Sequence, residues 1–103
     1  MTDINIMETM LSDGQDNALI RFTIGSVFIK HNKFKEAAEQ LARAVQLEPD
    51  YSAAWKLYGQ ALAASDQRDE AISTFRNGIA IANKKGDKQV AKEMQVFLNR
   101  LQK

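Results

Sequence analysis

Residues 24–47 read IGSVFIKHNKFKEAAEQLARAVQL and residues 58–81 read YGQALAASDQRDEAISTFRNGIAI, the same pattern of large and small side chains 34 positions later. Gly25 and Gly59, Glu36 and Glu70, and Ala37 and Ala71 are identities. Ile24 and Tyr58, Phe28 and Leu62, Leu41 and Phe75, Ala44 and Gly78, Val45 and Ile79, and Leu47 and Ile81 keep size class. An internal period of about 34 residues marks a helix-turn-helix solenoid. A lone helical pair cannot bury its apolar face, so stacked neighbours must supply the core and the end units need a polar outer side.

Outward from this repeat, one Pro, five Gly and apolar residues spaced three and four apart predict an all-α chain. The first helix is expected from about Asn17 to His31, with Asp16 or Asn17 as N-cap and Asn32 at its stop. A second runs from Phe34 to Leu47 and ends before Pro49, which disfavours helix at the preceding residue. Asp50 or Ser52 is expected to cap a third helix reaching about Ser65. Asp66, Asp69 and Glu70 place acid at the start of a fourth, where negative charge suits the helix dipole. That helix is expected to reach Asn83 and to close at Lys84, Lys85 and Gly86. Asp87 then caps a fifth from Lys88 to about Gln102, whose Val90, Met94, Phe97, Leu98 and Leu101 form one apolar stripe. A short helix over Thr2 to Leu11 is a further reading, with Asn5 and Glu8 at capping-box spacing and Ser12-Asp13-Gly14 as its end. One domain spanning 1–103 results: an N-terminal segment at 1–16, repeats at 17–51 and 52–85, and a capping helix at 86–103.

The balance of 14 Lys and Arg against 13 Asp and Glu, a net charge of +1, lacks the basic excess of a domain that grips nucleic acid. With no Cys, disulfides, thiolate metal sites and thiol catalysis are excluded. No apolar run approaches the roughly 18 residues that would span a membrane. The N-terminus carries Asp3 and Glu8 instead of a basic leader region, and a cytoplasmic location is expected. Gly25 and Gly59 each cost about 1 kcal/mol relative to Ala inside a helix. Close approach of the partner helix is the expected reason, with small Ala37 and Ala71 meeting the gaps.

These residues resemble the tetratricopeptide repeat family, whose pattern runs Trp, two residues, Leu-Gly, two residues, Tyr, then Ala, three residues, Phe, and finally Pro. The second unit carries Trp55, Tyr58-Gly59, Leu62, Ala71 and Phe75, with Asn83 at the Pro place; the first carries Ile24-Gly25, Phe28, Ala37, Leu41 and Pro49, with Arg21 at the Trp place. The resemblance covers about residues 18–85, and the fifth helix resembles the family's C-terminal capping helix. It implies a scaffold without chemistry of its own, whose first helices of each pair line a concave groove for a protein or peptide. The matching groove positions are Phe22, Ser26, Ile29 and Lys30 in one unit and Lys56, Gln60, Ala63 and Ala64 in the other. Family members that clamp the acidic tails of chaperones present Lys, Asn and Arg there. Only Lys56, and less directly Lys30 and Gln60, have that character, so the resemblance argues against such a clamp.

Leu19, Ile20, Phe22, Ile24, Val27, Phe28 and Ile29 make the first helix apolar almost all round, which normally means burial. Three covers are open: the chain's own Ile4, Ile6, Met7, Met10 and Leu11, a second copy forming an isologous dimer, or a partner segment. Catalysis has little support. His31 is the sole imidazole, no phosphate loop, nucleophile elbow or zinc pattern occurs, and Asp66, Asp69 and Glu70 lack calcium-loop spacing. Lys30, Lys33 and Lys35 are followed at once by Glu36 and Glu39, as in a solvated turn. No cofactor or metal is expected. The reading is a non-catalytic interaction module that binds a protein or peptide through Phe22, Ser26, Ile29, Lys30, Lys56 and Gln60. The alternative is a self-associating protein that dimerises through the apolar side of its first helix.

Overall fold

A computed structural model describes residues 16–103, which form α1 (Ala18–Lys30), α2 (Phe34–Leu47), α3 (Ser52–Ala64), α4 (Arg68–Lys85) and α5 (Lys88–Leu101). The expected N-terminal helix, and the cover it would lay over α1, lie outside the described residues. Consecutive helices pack against one another along the chain, while α1 also touches α3 and α3 touches α5. The first helices of successive pairs therefore share one side, which places α1, α3 and α5 along a common inner face. The fold is an all-α helical repeat.

The period reappears as backbone geometry. Asn32 and Asp66 both adopt left-handed conformations, at φ 60° and 65°, a region that Asn and Asp enter more readily than most residues. In each case the next residue's N–H reaches back over the helix end: Lys33 donates to Phe28 O at 2.8 Å and Gln67 to Leu62 O at 2.9 Å. Asp66 thus makes the turn and does not begin α4, whose first-turn acids are Asp69 and Glu70. α4 runs to Lys85, two residues beyond the expected Asn83, and Gly86 closes it at φ 92°. At α1 the expected cap is present, with Asn17 Oδ1 accepting from Ile20 N–H at 2.9 Å.

Two caps differ from expectation for a single reason. Tyr51, and neither Asp50 nor Ser52, occupies the N-cap of α3, while Asp87 caps α5 without accepting a helix N–H through its side chain. The buried Ser52 hydroxyl donates instead to the Asp87 carboxylate, tying the start of α3 to the start of α5. A tertiary partner has claimed both side chains.

Both glycines do mark close helix crossings, but the residues that fill them are large. A Cβ at Gly25 would stand 2.6 Å from Leu41 Cγ, and one at Gly59 would stand 2.5 Å from Phe75 Cε1. Leu41 and Phe75 are fully buried, and with Ile24, Met94, Ala37 and Ala71 they belong to one continuous core. Each is a knob filling the space its glycine leaves. Ala37 and Ala71 are themselves fully buried, yet neither is among the nearest atoms to the glycines. Met94 and Leu98 bury the stripe of α5 against α4, with the Met94 sulfur seated at Gly78.

Candidate functional site

Ile29, Ala63 and Phe97 occupy one position of the 34-residue period, on α1, α3 and α5. The sequence of sizes is large, small, large. Between the flanking side chains the small Ala63 and its neighbour Ala64 leave an open hollow of about 520 Å³, completed by Phe34, Gln60, Phe75, Arg100 and Leu101. That volume lies within the range of about 300–1,000 Å³ typical of ligand sites. Its surface is predominantly apolar.

The far wall is an ordered stack. Phe75 and Phe97 lie nearly parallel with ring centroids 5.9 Å apart and an interplanar angle of 8°. The Arg100 guanidinium lies 5.6 Å from the Phe97 ring centre, a cation-π arrangement. Phe75 is buried, Phe97 partly buried and Arg100 exposed, so the stack runs from core to solvent. Nearby, the Arg68 guanidinium donates to Leu101 O and satisfies a carbonyl at the end of α5. A second hollow of about 290 Å³ adjoins the first and shares Gln60, Phe97 and Arg100 with it, adding Lys56, Glu93 and Val96.

The six residues singled out from sequence separate into distinct environments. Ile29 and Gln60 line the larger hollow, and Gln60 and Lys56 the smaller. The Lys56 ammonium is held by Glu93 at 3.0 Å. Its hydrogen bond and its charge keep the Glu93 carboxyl below the usual carboxylate range. Phe22 is partly buried and stacks on Tyr51 at 4.9 Å, with Val45 and Trp55 in the same cluster. The Ser26 hydroxyl donates to Phe22 O within its own helix at 2.9 Å. Lys30 is exposed and lines neither hollow. Burial pushes up the phenol pKa values of Tyr51 and Tyr58, with Glu48 and Glu70 respectively adding to the effect.

Phe97 and Leu101, expected in the core stripe of the capping helix, line the larger hollow together with Arg100. A signal for Phe97 was present: adding one more period to Ile29 and Ala63 reaches it. Arg100 carries no such signal. His31 is exposed and closes α1 through its backbone N–H. Among the described residues no cluster of three His, Cys, Asp or Glu could hold a metal ion, and no helix is long and apolar enough to cross a membrane.

The tetratricopeptide repeat profile matches residues 28–92. A TPR repeat-containing protein of Pseudomonas aeruginosa is 44% identical over 95 residues, which are 92% of this chain and 90% of that protein. The solution structure of a Bordetella parapertussis protein aligns with a TM-score of 0.84 and 40% identity, covering 98% of this chain and 88% of the other. YrrB, a TPR protein with an unusual peptide-binding site, aligns with a TM-score of 0.69 and 26% identity over 96% of this chain and 58% of its own. The 34-residue period, the glycine seams it carries and these likenesses agree: the chain belongs to the tetratricopeptide repeat family.

Proposed function

We propose that this chain is a binding protein that docks a peptide segment of a partner across the inner face of α1, α3 and α5, with Ile29, Gln60, Ala63 and Phe97 at the centre of contact. The TPR fold supports a protein-protein interaction module, and proteins of the family are generally non-catalytic. The observation that carries the finer reading is the open apolar hollow over Ala63, bounded by Ile29 and Phe97. Burying one bulky apolar side chain there is worth about 1.5–3 kcal/mol. The peptide-binding site of YrrB supports the use of such a scaffold for a peptide. Phe22, Ser26, Lys30 and Lys56 belong to the same proposed surface as its edges. The test is NMR mapping with a peptide selected from a random display library. Amide shifts at Ile29, Gln60, Ala63 and Phe97, lost in Ala63→Leu, are expected; unchanged binding to Ala63→Leu would overturn the reading.

A second reading, self-association through α1, draws on Leu19, a large apolar side chain that is 64% exposed. Light scattering across a wide concentration range tests it. A dimer abolished by Leu19→Ser supports it, and a monomer throughout removes it.

A further inference from the structure

We infer that the segment seated in this groove carries a bulky apolar residue beside an internal Asp or Glu, and that Arg100 reads the acid. The inference rests on the peptide-binding reading above and names the chemistry of its ligand. The apolar half follows from shape, because the hollow between Ile29 and Phe97 is floored by Ala63 and Ala64 and admits a large side chain.

The acidic half follows from charge. Among the described residues, Arg100 is the one charged residue that lines the larger hollow. The other cation of the adjoining hollow, Lys56, is committed to Glu93. Among the described residues Arg100 has no ion pair. Its guanidinium is instead positioned by Phe97, itself stacked on the buried Phe75. A guanidinium above an aromatic face keeps its N–H edge available for a two-pronged bond to a carboxylate, and Arg suits that role better than Lys. Asp66 and Asp69 lie near in sequence to Ala64 and to Arg68, but neither lines the hollow. The second hollow supplies the choice between an internal acid and a chain end. It continues past Gln60, Phe97 and Arg100 to Val96 and to Lys56 with Glu93, an acid already matched by Lys56, so a segment crossing Arg100 has groove on both sides. A bound chain runs onward and presents a side-chain carboxylate to Arg100.

The experiment pans a random 12-residue display library against the full chain and against Arg100→Glu, then measures synthetic winners by fluorescence anisotropy. Arg100 is exposed and its side chain donates no hydrogen bond among those of the described residues, so the variant is expected to fold as the parent does by circular dichroism and to melt slightly lower for the lost Phe97 contact. Peptides pairing Phe, Leu or Trp with Asp or Glu are expected from the parent chain. Arg100→Glu is expected to weaken them about tenfold or more, with recovery when the peptide acid becomes Lys. Apolar winners without acidic bias, binding both chains alike, overturn this inference while leaving the groove reading intact. Winners that lose binding only when their C-terminus is amidated overturn the internal acid. A library that yields no binder, or binders indifferent to Ala63→Leu, counts against the groove reading itself.

Discussion

The two helical pairs hide the same surface and expose different ones. Gly25 receives Leu41 and Gly59 receives Phe75, and Asn32 and Asp66 turn the chain with nearly the same φ. At the inner face the agreement ends, where Phe22 and Ser26 of one unit correspond to Lys56 and Gln60 of the other. Stacking requires each pair to cross in the same way, since a solenoid's core is shared between neighbours. The inner face carries no such requirement. Variation there alters what the groove can hold without altering how the helices meet.

The larger knob is also the better connected. Phe75 fills the Gly59 seam, stacks on Phe97 and lines the hollow, while Leu41 lies in the seam of the first pair. Phe75→Ala is therefore expected to cost about 3–5 kcal/mol, more than Leu41→Ala at about 2–5 kcal/mol. Urea denaturation of both variants measures the gap, and equal losses would make the two seams equivalent.

Overpacking tests the same contrast from the opposite side. Gly59→Leu places side-chain atoms against a buried ring, Gly25→Leu against a branched aliphatic group, and each is expected to cost about 1–3 kcal/mol, Gly59→Leu more. The sharper measurement is a cycle combining Gly59→Ala with Phe75→Leu. Residues in contact couple by about 0.5–3 kcal/mol, and the smaller knob relieves the added methyl. Additive losses in this cycle would mean that the glycine is needed for some other reason.

Most of this architecture could be read from the chain because the period is written in residues that cannot vary freely. Gly25, Gly59, Leu41 and Phe75 announced the seams, although pairing the glycines with Ala37 and Ala71 named the wrong knobs. Small size was a poor guide to which side chain would fill the gap, since the large Leu41 and Phe75 do so. The cap of α3 falls on Tyr51, while Asp87 stands at the N-cap of α5 as expected but gives its carboxylate to Ser52, 35 residues away, and not to the helix. The groove was legible by half. Ile29 and Gln60 follow from repeat position, and Phe97 would have followed by extending the period, but treating α5 purely as a cap stopped the extension at two units. Arg100 became visible only once its position over Phe97, with no carboxylate partner among the described residues, was in view.

The Ser52 to Asp87 contact gives a smaller and asymmetric prediction. Ser52→Ala leaves a partly exposed carboxylate that water can solvate, and a loss of about 1 kcal/mol is expected. Asp87→Ala strands a buried hydroxyl and is expected to cost more, within about 1–3 kcal/mol. Thermal melts of the two variants compare them directly. Equal losses would indicate that the cost is that of the bond alone and not of the orphaned group.

The smallest effect separates Phe22 from Lys56, one position of the period serving two kinds of contact. Phe22 stacks on Tyr51 and has nothing to titrate, whereas Lys56 joins α3 to α5 through Glu93. Lys56 lowers the Glu93 pKa in the folded chain. A depressed carboxylate pKa means that the pair's stabilisation is fully present above the unfolded-state value and is lost as pH falls through the folded one. Lys56→Met should return Glu93 to the ordinary carboxylate range in a carbon-detected NMR titration and flatten this acid-side dependence. Because both groups reach solvent, the neutral-pH melting temperature should barely move, and added salt should narrow even that difference. The Phe22 contact should ignore both salt and acid over the same interval. A Glu93 that titrates identically with and without Lys56 would show that the two helices are joined here by packing, as Phe22 and Tyr51 are, and not by charge.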